Sequence, residues 1–179
     1  MIRRLWLLPV ITAVFCNVGI IVTYAIGVSN GNIPAILPFI SDGGAYPPEK
    51  SIFSLFLNIS AVLFSLTVLV KHVQFVEYYE SRRPDVFWRR LSITATIFGL
   101  LTAAGLCIAG NFSEMDALMV HNIAAAVTFL SVILHLCFTT GLSFLRPLLC
   151  SRAMAFTRVT LTVLAIFFLV FRKFPIFLT

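Results

Sequence analysis

The chain has 179 residues, of which 60% are hydrophobic and only 11% charged, and its mean hydropathy is +1.02. A soluble domain carries about 25% charged residues, so this composition excludes an ordinary soluble protein and predicts an integral membrane protein. The net charge of +6 comes without a polar domain in which basic and aromatic residues alternate, which excludes nucleic-acid binding.

Four apolar segments are long enough to cross a membrane. The first, residues 5–28, would span about 36 Å as a helix, against about 30 Å for the hydrocarbon core. It exceeds the apolar part of a signal peptide, and no small-residue cleavage site follows it cleanly, so we expect an uncleaved span. The later segments are separated by a connector (29–51), a charged loop (71–90) and the short link NFSEMD (111–116). They cover residues 52–70, 91–110 and 117–142.

A fifth apolar segment, residues 159–171, is shorter. It would span about 20 Å, and we expect Arg158 at one end, and Arg172 with Lys173 at the other, to extend it by reaching toward the membrane surface. The sequence therefore predicts an all-α, multi-pass helical bundle that forms a single domain over residues 1–179, with four clear spans and a short fifth.

The distribution of basic residues predicts the orientation. With the N-terminus in the cytoplasm, ten Lys and Arg residues fall in cytoplasmic segments and three in segments on the other side. Cytoplasmic loops carry the excess of Lys and Arg. We therefore expect a cytoplasmic N-terminus, with both the connector and the link NFSEMD on the lumenal or exterior face.

The connector contains the stretch LPFISDGGAYPPEK. Ser41 and Asp42 begin a Gly-rich turn in which the Asp42 carboxylate can accept bonds from backbone N–H groups two residues on. Pro47 and Pro48 suit the start of a helix, where a missing N–H costs nothing, and Glu49 would favour the positive end of the helix dipole. These residues predict either a turn and helix start that satisfy themselves or a lumenal cap that binds a lipid headgroup or a partner.

Polar and small residues within the spans indicate where helices meet. Asn58 lies on the Ser54–Ser65 face of the second span, and Ala95, Gly99 and Ala103 form a row of small residues on the third. Such faces allow helices to approach closely and amides to bond across the interface. We expect helix packing, with a polar cleft for a lipid as the alternative. Asn111 begins a glycosylation sequon that adjoins the membrane, and we expect it to carry no glycan.

The titratable residues do not predict an enzyme or a metal site. His121 and His135 are about 21 Å apart along one helix, too far to share an ion. The four cysteines are scattered, and no nucleophile or phosphate-binding motif is present. We therefore predict no cofactor. Because an ordinary His titrates near pH 6.5, one hypothesis is that protonation of His121 changes how the fourth span meets NFSEMD or the connector. The alternative is an inert interface residue.

Two stretches carry a resemblance to a known family. LPFISDGGAYPPEKSIFSLFLNISAVL and GLCIAGNFSEMDALMVHNIAAAVTF are similar to the first lumenal loop with the second span, and to the third and fourth spans, of the damage-regulated autophagy modulator (DRAM) family. This family lies within the wider Frag1/DRAM/Sfk1 group. The resemblance covers about residues 5–171.

The resemblance implies a six-span protein of lysosomal and endosomal membranes that promotes autophagy, with a link to apoptosis. It implies membrane lipids and membrane proteins as partners. Relatives in the wider group suggest two alternatives, a Golgi factor for lipid remodelling of GPI anchors and a plasma-membrane scaffold for phosphoinositide kinase. The sequence has room for five spans, so we expect a chain shortened at its C-terminal side, without the sixth.

Overall fold

A computed structural model describes residues 5–36, 38–80, 86–144 and 152–172. Every regular element in these ranges is helical, which confirms the predicted all-α class. A single 3₁₀ turn, Ile40–Gly44, lies between the first two α-helices. The α-helices are α1 (Leu7–Ser29), α2 (Glu49–Glu80), α3 (Val86–Asn111), α4 (Glu114–Phe144) and α5 (Arg152–Arg172).

Among the described residues, four helices are long and apolar enough to cross a membrane, namely α1 to α4. The apolar part of α5 is shorter than the other spans, as predicted, but it covers Ala155–Phe167 and not residues 159–171, so Arg158 lies within it and not at its end. Large apolar side chains stay exposed along the helices, and Ile21, Val62 and Leu130 are each more than half exposed. In water such surfaces would be costly, whereas lipid tails accommodate them. The chain is therefore a multi-pass membrane protein.

The structure corrects the predicted limits of several segments. The prediction that the charged segment 71–90 is a loop is wrong, because α2 continues to Glu80 and α3 begins at Val86. The link between α3 and α4 is also shorter than NFSEMD, since Asn111 ends one helix and Glu114 begins the next. Both errors have one cause: charged residues at a membrane surface end a hydrophobic run without ending the helix that carries it. Lys173 lies outside the described residues.

Helix α1 ends in a turn that a glycine makes possible. Gly31 has a φ of +73°, which a residue without a Cβ adopts at little cost. The N–H of Gly31 donates to the carbonyl of Val28 at 3.1 Å, and that of Asn32 to the carbonyl of Gly27 at 2.9 Å. This pair of bonds is a Schellman motif, which satisfies the last carbonyls of the helix. Asn30 and Asn32 flank the glycine, so the turn fixes both of their side chains.

The described residues fall into two compact units. The first unit contains the residues up to Leu69 together with Leu100–Thr128. Its helices approach closely where one carries a glycine: a Cβ on Gly19 would collide with Phe56, and a Cβ on Gly105 would collide with the Thr128 side chain. Such contacts allow backbones to pack without large side chains between them.

The second unit contains Val70–Gly99 and the described residues from Phe129 onward. Phe75, Ala95 and Leu142 form its buried core, and Trp88, Leu91 and Phe138 pack against them. Polar contacts join its helices: Nδ1 of His135 lies 2.7 Å from the carbonyl oxygen of Ala95, and the guanidinium of Arg158 donates to the Ser143 hydroxyl. Arg158 thus contacts α4, a partner that sequence reasoning did not identify.

Candidate functional site

Most of the predicted site residues lie at one end of the first unit. There the C-terminal ends of α1 and α3 meet the N-terminal ends of α2 and α4, with the 3₁₀ turn beside them. Helix ends expose unpaired backbone groups, so polar side chains concentrate at such a place. We call this group the polar cap; it comprises Asn30, Asn32, Ser41, Asp42, Glu49, Lys50, Glu114 and Asp116.

Glu49 is the buried centre of one half of the polar cap. It is the first residue of α2, as predicted, and only 1% of its surface is exposed. The side-chain amides of Asn30 and Asn32 both donate to Oε1 of Glu49, each at 2.9 Å. The second oxygen, Oε2, has no hydrogen-bond partner among the described residues. Glu49 therefore does more than cap its own helix: it joins the start of α2 to the end of α1.

The arrangement around Glu49 follows from local structure. Pro47 and Pro48 precede the carboxylate, and they leave it at the first turn of α2, where the N–H groups are unpaired and the dipole favours a negative charge. The Schellman turn supplies the donors from the other side. Burying a carboxylate without such donors is costly, so the Asn-Gly-Asn turn and Glu49 depend on each other.

Ser41 and Asp42 form the second half of the polar cap. Asp42 Oδ2 accepts the backbone N–H of Phe39 at 2.7 Å, and this bond closes the 3₁₀ turn. The donor lies three residues before Asp42 and not, as predicted, two residues after it. The structure also places Glu114 of α4 close enough to Ser41 and Asp42 to interact with them electrostatically, which the sequence did not predict.

The start of α4 is fixed by a cap and an ion pair. The Ser113 hydroxyl accepts the N–H of Asp116 at 3.3 Å and donates to Asp116 Oδ2 at 2.8 Å, as an N-cap does. The same Asp116 carboxylate pairs with the ammonium group of Lys50 on α2. Both charged side chains are partly exposed, so solvent screens the pair and it contributes little to stability.

Asn58 and Asn111 form a reciprocal pair between α2 and α3. Nδ2 of Asn111 donates to Oδ1 of Asn58 at 2.9 Å, and Nδ2 of Asn58 donates to Oδ1 of Asn111 at 3.1 Å. Ser54 also donates to Asn111, at 2.8 Å, and the Cys107 thiol donates to Asn58, at 2.9 Å. Every polar atom of the two amides is engaged, so here the predicted helix-packing role fits the geometry better than an open lipid cleft.

His121 lies beside the C-terminal end of α3. It is 8% exposed, and its Nδ1 lies 2.8 Å from the carbonyl oxygen of Phe112 and 3.2 Å from that of Ala109. A carbonyl oxygen only accepts, so Nδ1 carries the proton in this arrangement. His121 thereby satisfies carbonyls that the end of α3 leaves unpaired. It also lies close enough to Glu114 for their charges to interact.

The polar cap is suited to holding helix ends and to hydrogen bonding. No group of three or more His, Cys, Asp or Glu side chains in the described part of the chain is placed to hold an ion. The sequence predicted site residues Ser41, Asp42, Pro47, Pro48, Glu49, Asn58, Asn111 and His121. It placed Glu114 beside His121 only, and it did not predict Asn30, Asn32 and Lys50. Asn-Gly-Asn after an apolar helix is a recognisable helix-end signal, so Asn30 and Asn32 could have been predicted from the sequence.

The structure gives a reason to expect no glycan on Asn111. The nitrogen that would receive the sugar donates to Asn58 and, at 2.7 Å, to the carbonyl of Cys107. We expect the expressed chain to show no mobility change on endoglycosidase treatment. Phe39→Asn would create a sequon with Ser41 at an exposed position of the connector and serves as the positive control. A shift in the native chain that disappears in Asn111→Gln would contradict the expectation.

Comparison with known proteins places these features in a family. Residues 4–173 match the family model of the Frag1/DRAM/Sfk1/Cwh43P N-terminal domain. The chain is 26% identical to "DNA damage-regulated autophagy modulator protein 1" of Xenopus laevis, over 88% of this chain and 66% of that protein. It is 31% identical to human "Transmembrane protein 150A", over 92% and 68%, and 34% identical to "Modulator of macroautophagy TMEM150B" of Danio rerio, over 69% and 51%.

The chain thus spans between half and about two thirds of the length of these curated relatives. No solved structure matches it. The family model extends over nearly the whole chain, and it includes the connector, all five helices and both halves of the polar cap. The chain therefore belongs to the Frag1/DRAM/Sfk1/Cwh43P N-terminal domain family.

Proposed function

We propose that this chain is a multi-pass membrane protein that modulates autophagy by binding membrane lipids or membrane-protein partners. The observation that carries the proposal is the family match over residues 4–173, together with two relatives whose names state a role in autophagy. The exposed apolar surfaces of the helices support residence in a bilayer. The polar cap is the region where a headgroup or partner would find hydrogen-bonding groups.

The proposed action is binding without catalysis. The relatives are named as modulators or as transmembrane proteins. In the polar cap and the Asn58–Asn111 pair, the polar side chains bond mainly to one another and to helix ends. A catalytic group needs a side chain directed at a substrate. The arrangement supports a shaped, rigid surface for recognition.

The proposed location is the lysosomal or endosomal membrane, with the N-terminus in the cytoplasm and the polar cap on the lumenal side. The excess of Lys and Arg in the segments assigned to the cytoplasm supports this orientation. Glycosylation of the Phe39→Asn variant tests the same orientation, because the connector must reach the lumen to be modified.

The function is tested by autophagic flux in cells that express or lack the full chain. We expect expression to raise the lysosome-dependent turnover of an autophagosome marker, depletion to lower it, and the protein to colocalise with a lysosomal marker. Unchanged flux in both conditions would overturn the proposal. Golgi residence with altered phospholipase sensitivity of surface GPI proteins would favour the anchor-remodelling alternative. Plasma-membrane residence would favour the phosphoinositide-kinase scaffold.

A further inference from the structure

The connector between α1 and α2 folds back along α1. The hydroxyl of Tyr24 on α1 donates to the carbonyl of Ala35 in the connector at 2.9 Å. The 3₁₀ turn that follows also packs against α1. A Cβ on Gly43 would lie 3.2 Å from the hydroxyl oxygen of Thr23 and 3.6 Å from the backbone nitrogen of Tyr24. The 3₁₀ turn is therefore held at the level of Thr23 and Tyr24, and not beyond the end of the helix.

These contacts lie well inside the ends of both helices. Thr23 is six residues before Ser29, the last residue of α1, so the contact is about 9 Å from that end of the helix. On α2, a Cβ on Gly44 would collide with the ring of Phe53, which lies one turn after Glu49, where the helix begins. The 3₁₀ turn therefore lies below the ends of the two helices that it joins.

The length of α1 fixes the depth of the 3₁₀ turn in the membrane. The helix has 23 residues and is about 34 Å long, whereas the hydrocarbon core is about 30 Å thick. Even if the whole surplus of about 4 Å projected beyond the C-terminal end of α1, Thr23 would lie about 5 Å below the surface of the hydrocarbon. The 3₁₀ turn therefore reaches the boundary between the headgroups and the acyl chains.

Three large apolar side chains of this part of the connector are not covered by the protein. Ile36 is 81% exposed, Phe39 56% and Ile40 61%, and we call these three residues the apolar edge. The apolar edge adjoins the lipid-facing surface of α1, because Tyr24 contacts the residue before Ile36, and Ile21, one turn earlier on the same helix face, is 63% exposed. Lipid is therefore the medium that continues from α1 onto the apolar edge.

The backbone of the connector is suited to a place with little water. At membrane depth, irregular backbone is tolerated where it is buried in protein or has its polar groups paired. The N–H of Phe39 donates to the Asp42 carboxylate, and the N–H of Asp42 donates to the carbonyl of Phe39 at 3.2 Å. Gly43 and Gly44 are buried. Four further residues of the connector have no N–H at all, namely Pro34, Pro38, Pro47 and Pro48. These features reduce the number of backbone donors that need water.

We propose that the apolar edge inserts among the lipids of the leaflet at the C-terminal end of α1, so that the connector is embedded in the membrane boundary. The proposal goes beyond the proposed function and does not depend on it, because it requires only that α1 crosses the bilayer. Glycosylation of Phe39→Asn is compatible with it. The sugar is added to the growing chain before the connector packs against α1, so that modification reports the side of the membrane and not the depth.

The test is fluorescence quenching on the full chain in phosphatidylcholine vesicles. After the native cysteines are replaced by serine, a bimane label is attached to Ile36→Cys or to Ile40→Cys. The quenchers are iodide, present in the water on both sides of the membrane, and phosphatidylcholine with brominated acyl chains. Ile21→Cys on α1 is the lipid-facing control, and Glu77→Cys, exposed in the charged part of α2, is the water-facing control.

We expect both connector labels to behave like the label at Ile21. The brominated lipid should quench them, and iodide should quench them several-fold less than it quenches the label at Glu77. Strong quenching by iodide together with no quenching by the brominated lipid would overturn the proposal, since the connector would then lie in water. Protection from both quenchers would also overturn it. A second copy of the chain, the sole protein in the vesicles, would then cover the apolar edge in place of lipid.

Discussion

Removing the two amides that face Glu49 is expected to produce the largest loss of stability in the first unit. In the double variant Asn30→Ala/Asn32→Ala, the Glu49 carboxylate stays buried with neither of its donors. A hydrogen bond to a charged group contributes about 1.5–3 kcal/mol, so removing both amide donors should cost about 3 kcal/mol or more. The free energy of unfolding, measured by denaturant titration of the purified chain in detergent micelles, should fall by about that amount.

A double-mutant cycle separates this effect from damage to the α1 turn. In a Glu49→Ala background no charge remains to be stranded, so the same Asn substitutions should then cost only about 1 kcal/mol or less. Glu49→Gln keeps an acceptor for both amides and should lie between native and Glu49→Ala. Lys50→Ala, the exposed neighbour, is the control and should stay within about 1 kcal/mol of native. Equal costs in the two backgrounds would show that Glu49 is not the partner that matters.

Opposite effects are expected from the same substitution at two glycines. A Cβ on Gly105 would collide with the Thr128 hydroxyl and lie 3.0 Å from the backbone oxygen of Ala124. The side chain can rotate away, but the helix backbone of α4 cannot shift without loss of packing. Overpacking of this kind costs about 1–3 kcal/mol. Gly105→Ala should therefore lower the unfolding temperature of the chain in micelles.

Gly141 provides the matched control for this prediction. It lies within α4, and a Cβ built on it meets nothing within 4 Å. Alanine is favoured over glycine in a helix interior by about 0.5–1 kcal/mol, so Gly141→Ala should leave the unfolding temperature unchanged or raise it. If both variants shift stability in the same direction, close approach of α3 and α4 at Gly105 is not what the glycine provides.

The sequence predicted the helices well because the bilayer imposes a strong rule on them. A segment long and apolar enough to cross must form a helix that satisfies its own backbone, and α1 to α4 each correspond to one predicted span. The residues at which the helices begin and end were less predictable. Residues 71–80 carry charges that end the apolar run, yet the helix continues through them to Glu80. The hydropathy pattern indicates where a segment leaves the hydrocarbon core, but the end of the helix depends on its backbone hydrogen bonds.

The sequence predicted which residues belong to the site, but it did not predict which of them contact one another. Glu49 and Asp42 stand in recognisable turn and helix-start patterns, so local rules selected them. Their partners are distant in sequence: Asn30 lies 19 residues from Glu49, and Asn58 lies 53 residues from Asn111. Which distant residues meet depends on how helices rotate and pack. Small-residue faces limit this choice but do not fix it.

The contact between Glu49 and the α1 turn has a consequence for biogenesis. The carboxylate at the start of α2 leaves water at little cost only when the Asn-Gly-Asn turn is folded to receive it, which favours assembly of α1 and α2 as one hairpin. A ribosome-bound chain that has released only α1 has no such anion to match its amides. The amides of Asn30 and Asn32 therefore gain their carboxylate partner only after Glu49 has emerged.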